Sequence, residues 1–175
     1  LQNPLQRLGR LLGRDAVATQ VFQGYQQQLE QQRARLEQTA KDHPAPGVLL
    51  LLGHAGGKPL IAGKDTAADW MLVQAGGRNL ATHSGYKPFS LESLAGLDPD
   101  VLVFADRSLS GEAARQALMK ENPVLAATRA AKAGKVFELD PTLLVGGLGP
   151  RLPQRLRQLS AEFYPDVAPP GAPTP

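Results

Sequence analysis

The chain has 175 residues, 42% hydrophobic and 20% charged, with a net charge of +3 and no cysteine. That length suits one domain, at most one and a half, with enough apolar mass for a real core. The composition excludes a mostly disordered chain and a collagen-like repeat, and the lack of Cys excludes disulfides and thiolate chemistry.

Leu5, Leu8, Leu11 and Leu12 recur at helical spacing after Pro4. Gly13 interrupts them, and Asp15 is the expected N-cap of a second helix. Residues 16–41 hold Gly24 but no Pro, with Val21, Phe22, Tyr25, Leu29 and Leu36 near one face and a Gln- and Arg-rich opposite face. Such a helix is about 40 Å long, more than a small domain needs, which predicts a strut. Gln32 stands where a heptad wants Leu, which argues against a coiled coil. His43-Pro44-Ala45-Pro46-Gly47 then breaks the helix.

Residues 48–52 read as a buried strand, and this longest aliphatic run is far short of the roughly 20 residues that span a bilayer. Residues 59–62 predict a second short strand. Residues 66–74 predict a helix capped by Asp65 and ended by Gly76-Gly77. A short strand is expected over 79–82, and a helix capped by Ser90 is expected to run to Leu97. Residues 101–105 are a second buried strand, Ser110 caps a helix over 111–120, and 135–139 is a third strand. Pro150 is expected to open the last helix, with Leu152, Leu156, Leu159 and Phe163 on its apolar face and Tyr164-Pro165 at its end. The Pro-rich tail is expected to be disordered.

Apolar strands alternating with helices predict an α/β fold: a three-layer lobe with a mostly parallel sheet, preceded by one long connecting helix. The expected division is 1–44 for the helices, 45–165 for the ligand-binding lobe and 166–175 for the tail. Ligands of open α/β sheets sit beyond the carboxyl ends of the strands. Loops 53–58, 82–89, 106–111 and 140–151 are therefore the places to look.

Enzyme chemistry is not expected. The glycines between Gly53 and Pro59 have the wrong spacing for a phosphate loop, and Pro59 stands where a hydroxyl residue is needed. There is no nucleophile elbow and no paired-histidine metal motif, and adjacent His83 and Ser84 do not make a triad. His43 lies in the Pro-rich break and His54 in a turn. Better suited to binding is the stretch with the His83 imidazole, the Ser84 hydroxyl, the Tyr86 phenol and the Lys87 ammonium. Imidazole and phenolate ligate iron, and Lys pairs with carboxylates. Arg151, after a Gly-rich run, adds a guanidinium able to fork onto a carboxylate, or else is a surface helix residue. Arg151, Arg155 and Arg157 are the densest basic group and lack interleaved aromatics, so nucleic acid is not an expected partner.

Several segments resemble the haem-specific branch of the periplasmic binding proteins of bacterial ABC importers. They are Gly76-Gly77-Arg78-Asn79, Gly85-Tyr86-Lys87-Pro88-Phe89-Ser90 and Leu94-Ala95-Gly96-Leu97-Asp98-Pro99-Asp100-Val101-Leu102-Val103. Asn122-Pro123-Val124, Lys132-Ala133-Gly134-Lys135-Val136-Phe137 and Leu148-Gly149-Pro150-Arg151 fit as well. The resemblance covers about residues 5–165. It implies two lobes joined by one rigid helix, of which this chain is similar to the helix and the second lobe, with the signal peptide and first lobe absent. It implies a periplasmic protein with haem as the transported ligand and an inner-membrane permease as partner.

Carried over, His83 is a candidate axial iron ligand, Ser84, Tyr86 and Lys87 belong to a haem-facing loop, and Arg151 faces the propionates or the iron ligand. Glu112, with Glu121 as fallback, is the expected permease-docking carboxylate. A siderophore or cobalamin binder of the same fold is the alternative, and a cytoplasmic α/β enzyme is the alternative from another class. Exposed Leu5, Leu8 and Leu12 are expected to drive self-association.

Overall fold

A computed structural model describes residues 2–53, 58–88, 90, 97–106, 110–145, 149 and 151–167. The expected turn at 54–57, the helix body at 91–96, parts of the loops at 107–109, 146–148 and 150, and the tail from 168 lie outside the described residues. Helix α1 (Gln2–Leu11) folds back on helix α2 (Asp15–Asp42). Gly9 permits the close crossing, since a Cβ there would lie 2.7 Å from the Ala18 Cβ. Asp15 is the first helical residue rather than the cap, and Arg14 holds the cap position without a side-chain bond. A carboxylate in that first turn still favours the helix dipole. At the other end the His43 N–H donates to the Thr39 carbonyl, and the backbone turns extended into the prolines.

Among the described residues the lobe holds one six-stranded sheet. Its strands are β1 (Gly47–Leu52), β2 (Leu60–Ala62), β3 (Arg78–Asn79), β4 (Tyr86–Pro88), β5 (Val101–Ala105) and β6 (Val136–Glu138). The order is β4-β2-β1-β5-β6, with β3 pairing β1. β1, β3, β5 and β6 run parallel, whereas β2 and β4 join antiparallel, so the sheet is largely parallel as expected.

Alternation along β1 and β5 feeds two cores. Val48, Leu50, Val101 and Val103 face helix α3 (Ala67–Gln74), helix α7 (Thr142–Val145) and helix α8 (Leu152–Phe163). Leu49, Leu51, Leu102 and Phe104 face helices α4 (Gly111–Glu121), α5 (Pro123–Ala126) and α6 (Arg129–Lys132). Strands buried on both faces are continuous apolar runs for this reason, and the three layers follow.

Several caps differ from expectation. Thr66 caps α3, its hydroxyl accepting from the Asp69 N–H at 3.0 Å, while Asp65 adopts φ 62° before it. Ser110 holds the cap position of α4 without a side-chain bond, and Glu138 Oε2 takes the Gly111 N–H at 2.7 Å instead. α8 opens at Leu152 with Pro153 in its first turn, and the expected role of Pro150 lies outside the described residues. Leu152, Leu156, Leu159 and Phe163 are all buried, as the spacing required.

Candidate functional site

The sheet register defines a rim at the carboxyl ends of the parallel strands. Leu52 pairs Ala105 and Leu60, Leu60 pairs Pro88, and Phe104 pairs Glu138. Pro88, Leu60, Leu52, Ala105 and Glu138 therefore stand along one edge of the lobe. Four inter-strand steps separate β4 from β6, a rim of about 19 Å.

Tyr86 and Lys87 lie in β4, an edge strand, not in a loop. Three exposed residues that include a proline carry no alternation to read, and an edge is where a strand tolerates Pro. Successive strand residues leave opposite faces. Tyr86 pairs Ala62 and shares the face covered by α3 and α8, whereas Lys87 pairs Ile61 and shares the face covered by α4. Both are exposed.

His83 and Ser84 lie behind the rim, where the chain enters β4. Ser84 and Lys64 form a parallel bridge, the Lys64 N–H donates to the His83 carbonyl at 2.7 Å, and the Gly63 N–H donates to Gly85 at 2.8 Å. The half-buried imidazole lies over Gly63, with Nε2 3.3 Å from the Ile61 carbonyl oxygen. Bonding to a carbonyl makes Nε2 the protonated nitrogen, which leaves Nδ1 with the lone pair a metal needs. The Ser84 hydroxyl donates to Asp65 Oδ2 at 2.8 Å.

Arg151 is exposed and immediately precedes α8, at the opposite end of the rim. Its neighbour in charge is Asp140. The Thr142 hydroxyl and N–H donate to that carboxylate, and Arg155 and Arg151 add attraction, so Asp140 is held below the ordinary carboxylate range. The structure thus sets Lys87 and Arg151 at the two ends of one rim. His83, Ser84, Tyr86 and Lys87 share a single edge, and Arg151 stands apart from them.

Glu112 is exposed in the first turn of α4, with Arg115 Nη1 3.8 Å away and the Gln116 amide donating at 3.2 Å. Glu121 is the last residue of the same helix, about 14 Å further along.

Sequence reasoning missed a cavity of about 390 Å³ between the end of β6 and α8. Glu138, Asp140, Arg155, Gln158 and Glu162 line it, together with Leu159. Burial pushes the Glu162 carboxyl up to about 7. The available signal was Glu162 standing three residues after Leu159 and beside Phe163, at the margin of the apolar face. Among the described residues no group of three or more His, Cys, Asp or Glu is placed to hold a metal, and no helix is long and apolar enough to cross a membrane.

A family model described as periplasmic binding protein matches residues 1–143. The chain is similar to a periplasmic haem-binding protein from Pseudomonas aeruginosa, at 55% identity and TM-score 0.89, over 99% of this chain and 62% of that one. It is similar to the periplasmic haem-binding protein HutB of Vibrio cholerae, at 29% identity and TM-score 0.75, over 91% and 61%. It is also similar to the periplasmic haem-binding protein RhuT from Roseiflexus sp. RS-1, at 30% identity and TM-score 0.74, over 94% and 62%. The chain spans about three fifths of the length of these relatives. No curated protein matches it.

Proposed function

Because the chain belongs to the periplasmic binding protein family, we propose that it serves a haem ABC importer as substrate-binding component, taking haem in the periplasm and passing it to an inner-membrane permease. The 55% identity to a periplasmic haem-binding protein over nearly the whole chain carries this reading. Haem is cargo here, not a resident cofactor, and catalysis has no part in the proposal. The rim suits such a ligand. A planar apolar ring lying against the β4 end of it meets the Tyr86 phenol, while Lys87 or Arg151 offers a cation to the two propionates, which leave the same edge of the ring. His83 offers iron, in this proposal, its Nδ1, the nitrogen not engaged by Ile61, which puts the iron at the β4 edge behind the rim and not at the rim's centre. Glu112 is the proposed docking carboxylate, well placed because it projects from the start of α4 and is open to solvent.

A hemin titration followed at the Soret band tests the reading. Wild-type chain is expected to shift the band. Of Lys87→Ala and Arg151→Ala, the one that removes the cation facing the propionates is expected to weaken binding about ten-fold, the worth of one charge-assisted hydrogen bond, and no loss in either would remove both from the site. His83→Ala is expected to change the spectrum, and an unchanged spectrum would confine His83 to its packing on Gly63. Glu112→Lys is expected to bind hemin normally while hemin uptake by cells falls, and unchanged uptake would remove Glu112 from docking. Failure of the wild type to shift the band would overturn the haem proposal itself.

A second proposal concerns the helical hairpin. Leu8 (53%), Leu11 (82%), Leu12 (64%), Val17 and Val21 are exposed on α1, the turn after it and the start of α2, while Leu5 is half-buried. Five exposed large apolar side chains on one helical hairpin favour a partner. The chain is expected to self-associate with rising concentration, and Leu11→Glu with Leu12→Glu to keep it monomeric. A strict monomer at millimolar concentration in sedimentation equilibrium would refute this.

A further inference from the structure

The seam between α2 and the lobe is built from one stripe of α2: Tyr25, Leu29, Gln32, Leu36 and Thr39. Their spacing alternates four and three residues, the spacing of a packed helix seam. Tyr25, Leu29 and Leu36 pack on the core that contains Leu156, Leu159 and Phe163 of α8. At the centre of the stripe Gln32 is only 4% exposed, and neither its amide nitrogen nor its oxygen has a hydrogen-bond partner. The polar ties lie elsewhere along the seam. Arg157 donates to Gln28 Oε1 at 3.4 Å, Arg35 donates to the Val167 carbonyl at 3.3 Å, and the His43 ring meets Tyr164 edge-on with centroids 6.4 Å apart.

An amide stripped of water without a partner is penalised only while the seam is closed, because opening lets water satisfy both of its atoms. The strands are under no such penalty. Leu49, Leu50, Leu51, Val101, Leu102 and Val103 are fully buried and apolar, and their backbone groups are paired across the sheet. We propose that Gln32 is a built-in release point: α2 lifts from α8 in a local opening that leaves the sheet intact. Opening frees the strut to change its angle to the lobe, a motion that a leucine at the same position would resist.

Native-state hydrogen exchange on the full chain, comparing wild type with Gln32→Leu and Gln32→Met, tests this. A lifted α2, without the packing that supports it, frays, so in wild type the amides of residues 25–39 are expected to exchange at least ten-fold faster than those of β1 and β5. Both variants are expected to slow the α2 amides about ten-fold relative to the strand amides, since either side chain fills the space without a polar atom to satisfy. Equal slowing of α2 and the strands would overturn the proposal by showing global stabilisation alone. No slowing of α2, or faster exchange, would overturn it by showing that the amide is satisfied in solution.

Discussion

Gly63→Ala is expected to cost about 3 kcal/mol of stability, near the upper end for overpacking a tight site. A Cβ at Gly63 falls on the His83 carbonyl oxygen and comes within 2.6 Å of His83 Cδ2 and 2.8 Å of Nε2. The ring could turn away, but the carbonyl cannot, because it accepts the Lys64 N–H while the Gly63 N–H bonds Gly85. The methyl therefore forces residues 83–85 away from β2 and loosens the β4 edge that carries Tyr86 and Lys87. Gly24→Ala is the matched control. A Cβ there meets nothing within 4 Å, and the site lies inside α2, so a gain of about 0.5–1 kcal/mol is expected from helix propensity and the less flexible unfolded chain. Urea unfolding of the three proteins decides the matter. An unchanged midpoint for Gly63→Ala would show that the entry to β4 yields freely.

The second large effect is on pH. Burial beside Leu159 in the α8 cavity raises Glu162 from 4.5 to about 7, so the folded chain holds a proton that the unfolded chain releases. The sign follows from linkage: where the folded state binds more protons, stability falls as pH rises. The contribution is fully present below pH 4.5 and is lost as pH climbs through 7. Deprotonation adds a charge to a cavity that already holds Glu138 and Asp140 against Arg155. Glu162 remains partly open to solvent, which moderates the size of the loss. Thermal melts at pH 5.5 and pH 8 are expected to show a lower Tm at the higher pH, and Glu162→Gln to remove most of the difference. An equal pH slope in the variant would assign the effect to other groups. Asp98 and Asp140 work in the opposite sense and further down the scale. Arg129 and Thr142, respectively, hold them below 3.8, so their stabilisation is lost only in acid.

The elements legible in the sequence were those whose signal is local. The long α2, the apolar runs of β1 and β5 and the face of α8 each repeat with the period of their own backbone. Pro44, Pro46 and the Gly76-Gly77 pair punctuate them, because proline cannot continue a helix and glycine readily takes the φ of 92° found at Gly76. Layer order followed from the same patterns, since a strand apolar on both faces must be covered twice. Gln32 was visible as a polar residue between Leu29 and Leu36, where a heptad wants Leu.

Tertiary structure decided what depends on residues far apart in the chain. β4 is a strand only because β2 offers it an edge, and Tyr86-Lys87-Pro88 has no pattern that announces it. Strand order put β4, with Lys87, and β6 at opposite ends of one rim, and attraction between Arg151 and Asp140, just past β6, ties Arg151 to the second end. The Glu162 shift and the Gln32 orphan arise from solvent excluded by distant segments, such as the Glu138 to Asp140 turn and the α8 face. Periodicity is a property of the local backbone and can be read one residue after another. Burial, pairing and pKa belong to the space between elements, and that space exists only once the sheet order is set.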